Sequence, residues 1–233
     1  MNYEEYRFKT LPSTQDFLRE KQGDGRDMLA VAERQTQGKG TKNRSFECSD
    51  GGLWISLLKF HQGAPAKDTF LMMAHAAVAV CKTLEFYGLQ PRIKWANDVL
   101  INGKKVCGIL TENRLRGDEI VSTLWGVGLN VNNPLSDALS PIATTMKTEL
   151  KTAVDLAELE ARLLAYFYGE FDFAQYAERL AYVGEEVEFT AQGAPFSAVL
   201  KGVTERGELL LEKDGVEKRC AYGEITLGYK GRL

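Results

Sequence analysis

The chain has 233 residues, 44% of them hydrophobic and 26% charged, and 29 Lys and Arg stand against 32 Asp and Glu for a net charge of -3. This is the composition of a globular protein long enough for a sizeable core, and its balance argues against a generalised nucleic-acid or anionic-membrane surface. Cys48, Cys81, Cys107 and Cys220 show no CxxC spacing and the two histidines sit near none of them, so reduced structural thiols are expected and a zinc site is not.

The N-terminus, MNYEEYRFKTLPST, carries acids where a secretory leader would be basic, and we read no apolar run of membrane-spanning length. A cytoplasmic protein without a membrane partner is expected. A short strand is predicted over residues 6–9, followed by a helix in PSTQDFLREKQ with Ser13 or Thr14 as N-cap and Asp16 in its first turn. MLAVAERQ and GLWISLLKF read as apolar strands on either side of QTQGKGTKNRSF. That loop holds Gly38, Gly40, Lys39, Lys42 and Arg44 and no carboxylate. Glycines that let backbone amides approach, joined to three cations, suit a phosphate or a carboxylate. The loop is not a P-loop, since Gly40 follows Lys39 where Ser or Thr is required. Composition alone favours a solvated basic surface loop, since charged glycine-rich loops are common.

Residues 68–87 carry apolar side chains at helical spacing and stop before Gly88, a C-terminal cap, with His75 on that helix as a packed or surface residue. In PRIKWANDVLINGKKVCGILTEN, Asn102-Gly103 is a two-residue hairpin turn, which puts Lys94 and Lys105 on or beside neighbouring strands. Lys94 precedes Trp95 in apolar surroundings, where an ammonium is a strong point charge for an anionic transition state; Asn97-Asp98 alone would also fit a plain turn. The strand EIVSTLWGVGLNVNN ends in Gly126, Gly128 and Asn130, residues that permit close approach and amide pairing. Thr152 with Asp155 resembles a capping box opening the helix in AVDLAELEARLLAYFYGEF. From about residue 182 short alternating segments (EEVEFTA, PFSAVLKGVT, GELLLEK, VEKRCAY, EITLGYK) predict a small β-barrel. The expected organisation is an α+β domain with a mixed or antiparallel sheet over residues 1–180 and a β domain over 181–233.

Five ordered motifs carry a resemblance. Ser13-Thr14-Gln15, GKGTKNRSF, Lys94-Trp95-Ala96-Asn97-Asp98, Lys105-Val106-Cys107-Gly108-Ile109-Leu110 and Gly126-Val127-Gly128-Leu129-Asn130 are similar to the STN, GRGRRGRxW, KWPND, K-xx-G-I-L and GxGxN signatures of the biotin-protein ligases. The resemblance spans nearly the whole chain. It implies a class II synthetase-like mixed sheet with helices and an SH3-like C-terminal β-barrel. It further implies two steps: biotin attacks the α-phosphate of ATP to give biotinyl-5'-AMP and pyrophosphate, with Mg2+, and a lysine of a biotin carboxyl carrier domain then displaces AMP.

By the same resemblance, biotin is expected to meet Ser13, Thr14, Gln15, Gln35, Gly38, Lys39, Gly40, Thr41, Lys94, Gly108, Gly126 and Gly128. ATP and the adenylate are expected to meet Lys39, Thr41, Lys42, Arg44, Phe46, Lys94, Asn97, Lys105 and Asn130, with Asp98 as a candidate Mg2+ ligand. Lys94 stands as the chief electrostatic catalyst, assisted by Lys39 and Arg44. The chain departs from the pattern at Gln15 (usually Asn), Ala96 (Pro), Thr41 (often Arg) and Phe46 (Trp), and a missing cation at Thr41 would weaken retention of the adenylate. With the first motif at Ser13, a monofunctional ligase without a DNA-binding domain is expected, and the family's habit of pairing sheets edge to edge leaves a homodimer open. A lipoate or octanoate ligase of the same adenylate chemistry, and a non-catalytic biotin or nucleotide sensor, are the alternatives.

Overall fold

A computed structural model describes residues 3–23, 25–41 and 44–228. Strands β1 (Glu4–Leu11), β2 (Met28–Gln35), β3 (Leu53–Pro65), β4 (Arg92–Lys94), β5 (Asp98–Ile101), β6 (Lys104–Arg116) and β7 (Glu119–Leu129) form one sheet in the order β1-β2-β3-β7-β6-β5-β4. The β1–β2 pair is parallel and the other neighbours are antiparallel, so the sheet is mixed. The first strand is longer than the predicted 6–9 because its pairing with β2 runs from Glu4 to Leu11.

Alternation along these strands gives the sheet two different faces. Leu29, Ile55, Leu57, Trp125, Val127, Leu129 and Ile109 belong to the main core, packed with helices α2 (Thr69–Phe86), α4 (Leu156–Phe167) and α5 (Phe173–Glu178). Leu18 of helix α1 (Thr14–Glu20) joins Met28, Ala30, Leu58 and Leu124 in a second, smaller cluster. Because α1 is only two turns long, the face bearing Ser56, Gly126, Gly128 and Gly108 stays open beyond it.

Two sequence expectations need correction. With its preceding 3-10 turn, α2 is long and apolar enough, by length and composition, to cross a bilayer, yet it is the central core helix, with 11 buried residues. Helix α4 is capped by Asp155 alone, whose carboxylate accepts from the amides of Ala157 and Glu158, so the helix starts at Leu156 and Thr152 plays no part. A short helix α3 (Met146–Leu150) precedes it.

The tail is a separate antiparallel sheet of β8 (Glu186–Ala191), β9 (Ala194–Val203), β10 (Leu209–Lys213), β11 (Val216–Cys220) and β12 (Ile225–Leu227), in the order β11-β10-β9-β8-β12. It docks on the first sheet through the turn after β4. The Trp95 indole donates to the Gly207 carbonyl at 3.1 Å, and Tyr222 packs edge-on against Trp95.

Candidate functional site

The open face holds a cavity of about 410 Å³, within the range of small-molecule sites. Its floor follows from the register of β3, β7 and β6. Ser56 pairs with Gly126, which pairs with Leu110; Trp54 pairs with Gly128, which pairs with Gly108. The i, i+2 spacing of Gly126 and Gly128 puts both on this face. A Cβ on Gly126 would lie 2.4 Å from Gln15 Oε1, and one on Gly128 would lie 2.9 Å from the Phe46 ring. The glycines are required because side chains from α1 and from the basic loop already fill the space above them.

At one end the floor is neutral and rich in hydrogen-bonding groups. Ser13 caps α1 by accepting from the Asp16 amide, which turns Thr14 and Gln15 into the cavity. The Gln35 side-chain oxygen Oε1 accepts from the Thr14 amide at 2.7 Å and hydroxyl at 3.0 Å, its Nε2 donates to Cys48 Sγ at 3.0 Å, and the Thr14 hydroxyl meets Ser56 at 2.8 Å. Gln15 donates to Glu112 at 3.1 Å and accepts from Ser56 at 3.3 Å. Burial pushes the Cys48 thiol up to about 11, against the bond from Gln35, so this thiol stays protonated and serves as a small wall residue.

The other end is cationic. Lys39, Arg44 and Lys105 line the wall, with Glu47 as the only carboxylate among the described lining residues. Lys105 Nζ pairs with Asp98 at 2.6 Å and lies 5.4 Å from the Phe46 ring centre. Lys94 and Asp98 are backbone register partners in the antiparallel pair β4 and β5. It is buried, and burial pushes its ammonium down to about 8; Asp98 opposes the shift while Lys105 and Arg44 add to it. Buried Lys94 thus feels two further cations, Lys105 and Arg44, against one carboxylate, Asp98, an excess of positive charge that favours binding one more anion.

Most residues singled out in the sequence come together here. Ser13, Thr14, Gln15, Gln35, Lys39, Gly40, Thr41, Arg44, Phe46, Asn97, Lys105, Gly108, Gly126, Gly128 and Asn130 all line the cavity. Lys94 is set behind its wall, and Lys94 and Lys105 flank β5 rather than occupying adjacent strands. Gly38 is outside the lining: its Cβ would lie 2.4 Å from the Phe46 carbonyl oxygen, so it serves the fold of the loop. Thr41 accepts from Arg44 through both its carbonyl and its hydroxyl at 3.3 Å, holding the guanidinium it cannot replace in charge. Lys42 lies outside the described residues. Asn97 donates to the Ile109 carbonyl and Asp98 is engaged by Lys105, and among the described residues no group of three or more acidic, His or Cys side chains could hold a metal. A divalent ion would have to arrive with its own phosphate ligands.

Sequence reasoning missed Ser56, Asn133, Glu112 and Arg19. Asn133 donates to the Asn130 side-chain oxygen at 3.2 Å and so fixes that carboxamide. A serine inside the otherwise apolar run LWISLLKF was the legible signal for Ser56. Glu112 and Arg19 meet across 93 residues of sequence, and no local pattern marks such a pair.

Residues 8–130 match the sequence model of the Biotin/lipoate A/B protein ligase family, just over half of the chain. The chain belongs to this family. Among its relatives in the family, the bifunctional ligase/repressor BirA of Bacillus subtilis is 33% identical over 86% of this chain, which spans 66% of that protein's length. The biotin--[acetyl-CoA-carboxylase] ligase of Paracoccus denitrificans is 29% identical, with 85% of this chain and 89% of the relative aligned. The biotin protein ligase of Aquifex aeolicus in complex with biotin and ATP superposes with a TM-score of 0.79 at 27% identity, covering 97% of this chain and 99% of that one. The ligase fold, a mixed sheet followed by a small antiparallel one, is thus common to both chains.

Proposed function

We propose that this protein activates biotin with ATP to biotinyl-5'-AMP, releasing pyrophosphate, and transfers biotin to a lysine of a biotin carboxyl carrier domain. The observation that carries this reading is the polarity of one continuous cavity, hydrogen-bonding and neutral at one end, cationic at the other. A ureido ring needs donors and acceptors, and Thr14, Gln15, Gln35, Ser56 and Ser13 supply both. The biotin carboxylate then points toward Lys39, Arg44 and Lys105, where it meets the α-phosphate of ATP brought in as its Mg2+ complex.

Joining two anions concentrates negative charge, and Lys94 with Lys105 lowers that barrier electrostatically from a site that excludes water. Phe46 and Asn130 are assigned to the adenine, Phe46 as a flat apolar face and Asn130 as an amide oriented by Asn133. In the second step the acceptor lysine displaces AMP, and the Cys48 thiol in the wall, held protonated by burial, does not compete as a thiolate nucleophile. Four free, buried cysteines suit a reducing cytoplasm.

The test is biotin-dependent pyrophosphate release from ATP, followed by mass detection of biotin on a carrier domain. Release with lipoate or octanoate instead of biotin would reassign the substrate, and biotin binding without release would make the protein a sensor. Gly126→Ala is expected to weaken biotin binding about tenfold by calorimetry, because its Cβ would lie 2.4 Å from Gln15 Oε1 and drive that carboxamide off its bonds to Ser56 and Glu112 and out of its place at the ureido end.

A further inference from the structure

Lys39 of the basic loop lines the cavity, yet its ammonium is held by Asp16 of α1, at 2.7 Å and 2.8 Å from the two carboxylate oxygens. Asp16 is also bonded by Arg19, and Arg19 is tied by two hydrogen bonds, 2.8 Å and 2.5 Å, to Glu112 of β6. Glu112 in turn accepts from Gln15 at 3.1 Å, so the whole set is bolted to the cavity floor.

We propose that Asp16 is a positioning residue that acts as a stand-in carboxylate: it parks Lys39 in the empty site, and the carboxylate of the acid substrate takes Lys39 from it. The inference rests on the biotin reading of the cavity. Three features make Lys39 the partner that leaves. Its side chain is 46% exposed, and ion pairs that open to water are weak. Arg19 is anchored by Glu112 and cannot follow. Asp16 keeps Arg19 when Lys39 departs, so no carboxylate is left unpaired in a half-buried position. Burial alone would raise the Asp16 carboxyl, but the bonds from Lys39 and Arg19 hold it below its usual range, so it is ionised and able to compete at neutral pH.

A competing internal carboxylate weakens acid binding without touching the rest of the ligand. In Asp16→Asn, biotin is expected to bind about threefold to fivefold more tightly by calorimetry, the scale of a half-exposed ion pair. Biotinamide, which has the same ring and chain but no carboxylate, should bind the variant and the parent alike. Asp16→Glu should restore the parent affinity for biotin. A merely structural role for Asp16 would shift both ligands together, and weaker biotin binding in Asp16→Asn would make Asp16 an aid to Lys39 rather than a rival; either result overturns the proposal. If the parent protein binds neither ligand, the biotin reading itself fails and this inference falls with it.

Discussion

Replacing Lys94 by alanine is expected to slow biotin-dependent pyrophosphate release by about a hundredfold to a thousandfold, the range for removing one preorganised charge from a transition state. Biotin affinity should change far less, because Lys94 is behind the cavity wall and the ureido-binding end lies elsewhere. Equal losses in binding and turnover would assign it a ground-state role instead. The same residue sets a pH dependence. Its folded ammonium loses its proton near 8, so kcat/KM for biotin-dependent pyrophosphate release, which reports the free enzyme, should fall as pH rises through that value.

The stability consequence has the opposite sign. An unfolded chain holds the Lys94 proton up to about 10.5 and the folded chain only to about 8, so between those values the unfolded state binds more protons and folding gains stability as pH rises. The gain is on the order of 3 kcal/mol across the window. Lys94→Met should abolish that slope in denaturant titrations at pH 8 and pH 10 and should be the more stable protein below it. An unchanged slope would show that burial does not act on this ammonium.

Gly207→Ala should disturb the joint between the two sheets. Gly207 has φ near +81°, a conformation L residues adopt at a cost, and a Cβ there would lie 2.2 Å from the Phe70 ring at the start of α2. Strain and overpacking together predict a loss of about 2–4 kcal/mol, seen as a melting temperature lower by about 5–15 °C. The Gly207 carbonyl also receives the Trp95 indole, next to Lys94, so turnover should drop in the surviving folded fraction. Gly193→Ala is the control: its φ is similar, +84°, but nothing lies within 4 Å, so only the strain remains. Equal losses in the two variants would mean that the Phe70 contact carries no weight.

Much of the site was legible because its physics is local. Glycines at i and i+2 in GVGLN announce one crowded strand face, Asn102-Gly103 announces a hairpin, and both turn residues take positive φ as that turn demands. The Ser13 cap on α1 was readable from the same local chemistry. Thr152 misled because two candidate caps stood three residues apart, and hydrogen bonding to the Ala157 and Glu158 amides selected Asp155. The apolar helix Thr69–Phe86 shows why composition cannot tell a bilayer from a core: both remove the same side chains from water.

By itself, then, the amino-acid sequence determined the two-part α+β architecture, the basic glycine loop, and the residue types that converge on the cavity, since these follow from periodicity, turn chemistry and ordered motifs. Only the tertiary structure decided that Lys94 is buried off the cavity lining, that Thr41 holds Arg44, that Ser56 bonds Thr14 and Gln15 and Asn133 bonds Asn130, and that Asp16 holds Lys39 against Arg19 and Glu112. The reason is distance along the chain. A hydrogen bond between residues 23 or 93 positions apart leaves no periodic trace, and which side of a strand a lysine faces depends on a register set by strands that arrive later in the sequence.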